Sequence, residues 1–372
     1  MRIGLLVTSV GSFGNKGFYN LQEVGLAREL DKAFEEVLVY RLVSKNDTEL
    51  VERIEGCANA TLRLIPARKL GSNGKPDFRL LDPTIDLMVY FSDTQLFFSS
   101  VYQWCRKNSI RLIPYIGVSR SHSDNPVKQF VRNILFFRNL KGYRKLPCLA
   151  KTPAVCHSLI GNGVKNITVA PVGLDTERLD NHHGSFLVSE LRKKYGFAQD
   201  DKIILFIGRM TAEKQPCLMI RIFNEVIRLN QSYRLCMVGS GELSDAVYEL
   251  VEEYGLTKKV KRLEKIPNDD IWELYRIADC FVNLNRHEIY GMVLLEAMFY
   301  GCKVIAWNAP GPDFIIRDGV TGYLTDSLEK TVRLILESKP VAEQSRAAIL
   351  SDFTWKKTAG IITELAGEEK RL

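Results

Sequence analysis

Two glutamates eight positions apart give the sequence its first chemical lead. Residues 284–296 read LNRHEIYGMVLLE, with Glu288 in a loop after an apolar run and Glu296 within the first turns of the helix that follows. Gly291, Met292 and Val293 open that helix, where backbone N–H groups lack an intrahelical acceptor and can bind phosphate oxygens. Gly291 allows close approach of a ligand to the backbone. A carboxylate at Glu296 can accept two hydrogen bonds from a ribose, and one at Glu288 can hold a sugar hydroxyl. Alone, the pair reads equally well as two ordinary glutamates near a helix start, where acidic residues favour the dipole. A second loop, Gly208-Arg209-Met210-Thr211-Ala212-Glu213-Lys214, follows the apolar run Ile203–Ile207. There Arg209 can grip one phosphate as a planar fork and Lys214 another as a point charge, although each alone is an ordinary solvated cation. A third, Val238-Gly239-Ser240-Gly241-Glu242, sets small residues at another strand end. Its G-x-G is weak evidence by itself.

The elements that must carry these loops alternate between strand and helix along the chain, which predicts α/β domains with parallel sheets. In the first half, Ile3–Val10, Val37–Leu42, Leu87–Phe91, Arg111–Ile116 and Ile167–Val169 read as strands. Leu21–Phe34, Leu96–Lys107 and Pro126–Lys141 read as helices between them. The second half repeats the alternation from Ile203–Ile207 to Gly322–Thr325, with helices near Leu328–Ser338 and Trp355–Leu365 closing the chain. The polar, turn-rich stretch 180–185 marks the boundary. The expected layout is two Rossmann-like, doubly wound domains over 1–180 and 181–354, with 355–372 crossing back to the first. Such domains present ligand sites at the carboxyl ends of their strands, facing a cleft.

Three segments occur in a telling order: LFIGRMTAEKQP, MVGSGEL, and LYRIADCFVNLNRHEIYGMVLLEAMFYGCKVIAWNAPGPDFIIRDGVTGYL. Together they resemble the second domain of retaining GT-B glycosyltransferases of family 4, the glycosyl transferases group 1. The resemblance spans about residues 203–324 and implies a role for each motif. Arg209 and Lys214 hold the donor pyrophosphate, Met292 and Val293 give it backbone N–H groups, and Gly291 makes room. Glu296 binds the nucleotide ribose, Glu288 contacts the donor sugar, Ile266 meets the nucleobase, and Gly239 and Tyr290 complete the donor-binding set. The family often reads E-G-F-G where this chain has Glu288-Ile289-Tyr290-Gly291, so the sugar pocket is expected to differ in shape. The implied reaction is a front-face transfer in which the leaving phosphate takes the acceptor's proton, and Arg209, Lys214 and the helix start stabilise the developing charge. No metal and no cofactor are expected, the nucleotide sugar being a substrate.

The first domain offers less. Gly11-Ser12-Phe13-Gly14-Asn15-Lys16-Gly17 resembles the family's acceptor-side loop, with Gly14, Asn15, Lys16 and Gly17 at its tip. A dinucleotide fold would show a similar strand-glycine-helix pattern. The spacing is G-x2-G-x2-G, however, and no acidic residue ends the second strand. His122, after the strand Arg111–Ile116, is either a cleft histidine near the donor sugar or a solvated loop residue. Asp93, past Leu87–Phe91, is a further candidate of this kind.

Composition narrows the remaining classes. A chain of 372 residues with 46% hydrophobic and 26% charged residues is globular, and long enough for two cores. No apolar run reaches the ~18–20 residues of a membrane-spanning helix. The eight cysteines are scattered with no C-x-x-C pair, which argues for a reducing cytosol and against a zinc site or disulfide framework. Residues 1–175 carry a net charge of +9 and residues 176–372 a net of −2. Between Asp124 and Asp175 there is no acidic residue at all. Within that gap, Pro126–Lys145 combines an apolar stripe (Val127, Phe130, Val131, Ile134, Leu135, and Phe136 or Phe137) with Lys128, Arg132, Arg138 and Lys141. It reads either as a core-packed helix or as an interfacial helix on anionic lipid. Nucleic acid is not an expected partner, since no recognised motif accompanies the charge.

The expectation is a retaining hexosyltransferase that moves a hexose from a nucleotide sugar, UDP favoured, to a saccharide or lipid-linked acceptor in surface polysaccharide or glycolipid assembly. It is placed in the cytoplasm, peripheral on the inner face of the membrane if the basic helix docks there. The alternatives are a phosphorylase-like or sugar-phosphate-using transferase of the same fold, or a non-catalytic binding module.

Overall fold

The computed structural model describes residues 1–10, 22–44, 49–70, 73–92, 96–118, 126–180 and 187–368. The chain forms two compact units, one of residues 1–175 with 354–372 and one of residues 176–353.

The N-terminal unit runs β1 (Arg2–Val7), α1 (Gln22–Leu30), β2 (Glu36–Ser44), β3 (Leu50–Arg53), β4 (Ala60–Ala67) and a small hairpin of β5 (Lys69–Leu70) and β6 (Asn73–Gly74). It continues through β7 (Leu87–Phe91), α2 (Phe98–Lys107), β8 (Arg111–Ile116), α3 (Pro126–Tyr143), β9 (Cys148–Ala150), α4 (Pro153–Gly161) and β10 (Ile167–Val169). Eight strands make one sheet in the order β10-β9-β8-β7-β1-β2-β4-β3. The ladders are parallel except at the β3–β4 edge. Central strands such as β7, LMVYF, are buried at every position, the near-continuous apolar run expected where both faces of a parallel sheet are covered. β1 sits between β2 and β7, with Ile3 opposite both Val37 and Leu87.

The C-terminal unit contains α5 (Thr176–Asp180), α6 (Val188–Lys194), β11 (Lys202–Ile207), α7 (Pro216–Leu229), β12 (Tyr233–Val238), α8 (Ser244–Glu253), β13 (Val260–Leu263) and α9 (Ile271–Ile277). After these come β14 (Cys280–Asn283), α10 (Met292–Phe299), β15 (Lys303–Trp307), α11 (Pro310–Ile315), β16 (Tyr323–Thr325), α12 (Leu328–Glu337) and α13 (Ala342–Asp352). Its six strands are all parallel, in the order β13-β12-β11-β14-β15-β16. Strand order reverses between β11 and β14. The loops that leave these two strands therefore diverge at a topological switch point, where open α/β sheets bind ligands.

The last helix, α14 (Trp355–Glu368), belongs to the N-terminal unit. Trp355 is buried, and a Cβ on Gly25 of α1 would lie 2.5 Å from its indole, so α1 and α14 meet with no space for a larger residue. The Arg111 guanidinium donates to the carbonyls of Leu365 and Ala366, both at 2.9 Å, satisfying acceptors that the helix end leaves open.

Most predicted elements form within a few residues of their expected ends. The strand expected over Ile3–Val10 stops at Val7, and the helix expected over Leu21–Phe34 ends at Leu30. The C-terminal unit begins at Thr176, because α5 is tied to it by the Arg178–Asp269 ion pair and by Arg346 to Asp180 at 2.6 Å. Strand β4 was not legible: ATLRLIPA carries Arg63 and Pro66, and its alternating burial reflects a neighbour, β3, that is largely exposed. Among the described residues no helix is long and apolar enough to cross a membrane.

Candidate functional site

The site is assembled from the loops at the carboxyl ends of β11, β12 and β14, and begins with backbone. Gly208 N–H donates to Val238 O, Met210 N–H to Ser240 O, and Leu243 N–H to Met210 O, at 2.9–3.0 Å, stitching the β11 and β12 loops together. Gly239 makes this possible. Its φ is 132°, and a Cβ there would lie 2.0 Å from the Gly208 carbonyl oxygen, so only glycine permits the approach. The functional weight of G-x-G here is therefore loop-to-loop packing beneath the site.

On that platform Lys214 ends a short 3-10 turn, and Gln215, in the left-handed region, opens α7. Gln215 Nε2 donates to Leu284 O at 2.6 Å, joining the β11 loop to the β14 loop. Lys214 Nζ then reaches Glu288 Oε2 at 2.7 Å, with the two side chains only 21% and 15% exposed. The same carboxylate oxygen accepts from Asn285 Nδ2 at 3.2 Å and faces Asn283 Nδ2 at 3.5 Å. These two buried asparagines are themselves fixed, since Asn283 Oδ1 accepts from Asn285 N–H and Asn285 Oδ1 from His287 N–H, both at 2.9 Å. Glu288 is thus held on one oxygen by a cation and two amides.

Gly291 caps α10 in the left-handed region at φ 96°. Met292 and Val293 follow as the first two helical residues, half-buried, with N–H groups that the helix geometry leaves without an intrahelical acceptor. The first turn of α10 holds no acidic side chain to neutralise the dipole there. One turn on, Glu296 Oε2 accepts from the Tyr275 hydroxyl at 3.0 Å. Tyr275 is buried and stacks on Tyr300 with centroids 6.1 Å apart. Burial, and then the Glu296 charge, push its phenol well above the ordinary 10.0. It stays a donor at any working pH.

Of the predicted residues, Lys214 and Glu288 stand in direct contact, and Gly291, Met292, Val293 and Glu296 share the first turns of α10. Arg209 lies apart from that pair: it is 72% exposed and bound to Glu213 at 2.6 Å. Ile266 is half-buried in the loop after β13. Tyr290 packs its ring at a tilt against Phe314, 6.4 Å away. His122, Asp93, Gly14, Asn15, Lys16 and Gly17 lie outside the described residues. Sequence reasoning did not single out Asn283, Asn285, Gln215, Tyr275 or Gly311. Gly311 N–H donates to Glu288 O at 2.9 Å, and a Cβ on it would lie 2.3 Å from Tyr290 O. The spacing N-x-N-x-x-E was the one available signal for the asparagines, and the glycine between two prolines the signal for Gly311. Among the described residues no group of three or more His, Cys, Asp or Glu side chains is placed to hold a metal ion.

A rigid anion-facing helix start beside a paired lysine and glutamate, with a second carboxylate one turn away, suits a ligand that carries phosphate next to hydroxyl-bearing rings. Comparison with known proteins bears on the same region. Residues 188–348 match the family Glycosyl transferases group 1. D-inositol 3-phosphate glycosyltransferase of Nocardia farcinica is 31% identical over 173 residues, which cover 45% of this chain and 38% of the relative. N-acetyl-alpha-D-glucosaminyl L-malate synthase of Bacillus anthracis is 26% identical over 179 residues, 46% of each chain. The matches thus span less than half the length of these curated relatives. Among solved structures, sucrose-phosphate synthase from Thermosynechococcus elongatus aligns over 100% of this chain and 99% of its own, with a TM-score of 0.77 at 17% identity. Anabaena Alr3699/HepE in complex with UDP and glucose aligns over 99% and 100%, with a TM-score of 0.70 at 17% identity. At these identities the likeness establishes the fold, which is GT-B.

Proposed function

With residues 188–348 as a glycosyl transferases group 1 domain on a GT-B fold, we propose that the chain is a glycosyltransferase that takes a hexose from a nucleotide sugar and retains its anomeric configuration. The observation that carries this reading is the Lys214–Glu288 contact at the mouth of the α10 N-terminus. An arriving diphosphate meets the Met292 and Val293 N–H groups and draws Lys214 from Glu288. Glu288 is left to accept a donor-sugar hydroxyl, still held by Asn283 and Asn285. Arg209, released from Glu213, adds a second cation from the solvent side. Glu296, oriented by Tyr275, receives the ribose hydroxyls. Charge develops on the leaving phosphate as the sugar–oxygen bond breaks, and preorganised donors stabilise that charge without reorganising. The same phosphate takes the acceptor hydroxyl's proton, so no carboxylate nucleophile and no metal enter this scheme.

UDP is the favoured carrier, supported by the UDP complexes of a structural neighbour with the same fold. The acceptor is a saccharide or a lipid-linked saccharide, and the pathway the assembly of a surface polysaccharide or glycolipid.

The test is a thermal-shift screen of the full chain against UDP, GDP, ADP, their common sugars and NAD. A ligand at ~100-fold excess over its Kd stabilises the native state by about 2.7 kcal/mol. A shift with UDP that grows with one UDP-sugar supports the proposal. A shift with NAD alone, or with none of the nucleotides, overturns it.

A further inference from the structure

Helix α3 has two faces with opposite fates. Phe136, Leu140 and Tyr143 are buried in the core, and the Tyr143 hydroxyl shares a 2.7 Å hydrogen bond with Ser92. Phe130, Val131, Ile134 and Phe137 are 67%, 49%, 52% and 55% exposed. The apolar stripe that the sequence offered is therefore split, with Phe136 inward and Phe137 outward. At about 100° per residue, the four exposed side chains gather on the side of the helix opposite Phe136, Leu140 and Tyr143. Among the described residues, five of the fifteen large apolar side chains open to solvent belong to this helix, Val127 being the fifth, and they include both exposed phenylalanines.

Charge follows the same line. Past Phe137, the same side of the helix continues with Lys141, and Lys145 follows in the turn just after the helix end, both exposed. At ~1.5 Å rise per residue Lys141 stands about 6 Å beyond Phe137. From 126 to 174 the sequence has no Asp or Glu, so the surroundings supply no counter-charge from neighbours in sequence. A protein-binding patch usually has a polar rim, with charged residues depleted at its core. Aromatic and branched apolar side chains followed by cations of one sign match instead a surface that is apolar inside and anionic at its rim, as a bilayer of acidic lipids is.

We propose that this face of α3 docks the protein on an anionic bilayer, with Phe130, Ile134 and Phe137 entering the acyl boundary and Lys141 and Lys145 at the lipid phosphates. The inference deepens the glycosyltransferase reading by setting the enzyme where a lipid-linked acceptor is found. Docking itself requires no sugar nucleotide, so it is tested without one and can fail separately.

The experiment is flotation of the full chain with vesicles of phosphatidylcholine alone, and of phosphatidylcholine with an equal part of phosphatidylglycerol, at low and high salt. Binding is expected only to the mixed vesicles and weakens with salt. Phe130→Ser with Phe137→Ser, and separately Lys141→Glu with Lys145→Glu, should each lower the bound fraction at least tenfold (~1.4 kcal/mol). Melting temperature should be unchanged in both, because every altered side chain is exposed. Three results overturn the proposal. One is a wild type that never binds the mixed vesicles, and another is binding that both variants retain. The third is a concentration-dependent dimer, abolished by the phenylalanine pair, in a protein that ignores vesicles.

Discussion

Two sheets of the same winding carry different surfaces. In the N-terminal unit β1 lies between β2 and β7, and in the C-terminal unit β11 lies between β12 and β14. Each central strand is flanked by its successor on one side and a later strand on the other. Yet the C-terminal unit interlocks its strand-end loops through Gly239, Gln215 and Gly311, and sets a lysine–glutamate pair among them. The N-terminal half carries the excess of positive charge and an open apolar helix face. Shared topology thus fixes where loops emerge, and the loop residues decide what binds.

The units also differ in how they are closed. The C-terminal unit is one continuous stretch of chain, whereas the N-terminal unit needs α14 from the far end of the sequence. Trp355→Ala removes the side chain that fills the space against Gly25, and large buried aromatics lost in this way cost about 3–5 kcal/mol. Hydrogen exchange should show faster exchange in β1 and α1, with β11 and β12 unaffected. Equal losses in both units would mean that they unfold together and that the contrast is only topological.

Next in size is Lys214→Ala. It removes the cation from the 2.7 Å pair and leaves Glu288 with its asparagines. Loss of one charge-stabilising donor is worth ~2.7–4 kcal/mol, so kcat should fall about 10²–10³-fold. Arg209→Ala should cost less, because Arg209 is 72% exposed and its charge is screened by water, whereas Lys214 is 21% exposed. Activity assays on the two variants give this ranking directly, and an equal loss would restore the symmetrical two-cation clamp that the sequence suggested.

The Lys214–Glu288 contact shows where sequence reasoning worked and where it ran out. Strands β7, β8 and β10 were read to the residue, because apolar runs are local signals. The α10 start was equally legible, since glycine before an apolar run marks a helix boundary. Which of two nearby cations meets the carboxylate was not local. It depends on Gln215 fastening one loop to another across 69 positions. Asn283, Asn285 and Tyr275 were hidden for the same reason, because amides and phenols acquire a role only from the partner that folding brings to them. Helix α3 gave its composition but not its orientation: Phe136 and Phe137 are neighbours in sequence, and the core chose one of them.

Buried acids sharpen the contrast at alkaline pH. In the C-terminal sheet, burial raises the Cys236 and Cys280 thiols from the ordinary 9.0 to about 12, and just before β15 burial also raises Cys302 well above its ordinary value. The N-terminal core holds Cys105 and Cys148, each also raised to about 12. The unfolded chain gives up these protons first and so binds fewer of them above pH ~9. Stability therefore falls as pH rises from there toward about 12, and is unaffected below. Each thiol contributes about 1 kcal/mol of loss between about pH 9 and 10. Urea unfolding in reducing buffer should show a shallower decline for Cys280→Ala than for the wild type, by that amount. Its absolute stability is lower throughout, so only the slope bears on the point, and parallel slopes would refute the assignment.

The smallest effect tests the least visible part of the site. Tyr275→Phe keeps the ring that stacks on Tyr300 and deletes only the hydroxyl that donates to Glu296 at 3.0 Å. Tyr275 touches no ligand in the proposed complex, so its role is to hold Glu296 in position for the ribose. A net hydrogen bond of about 0.5–1.5 kcal/mol is at stake, and part of it is recovered when Glu296 finds other donors. The KM for the nucleotide sugar should rise about threefold while kcat stays within error, since ribose binding contributes alike to ground and transition states. A fall in kcat with KM unchanged would place Glu296 at the reacting end and exchange its role with that of Glu288. An unchanged KM and kcat, with only the melting temperature lowered, would make the Tyr275–Glu296 bond purely structural and leave the ribose without an assigned partner on α10.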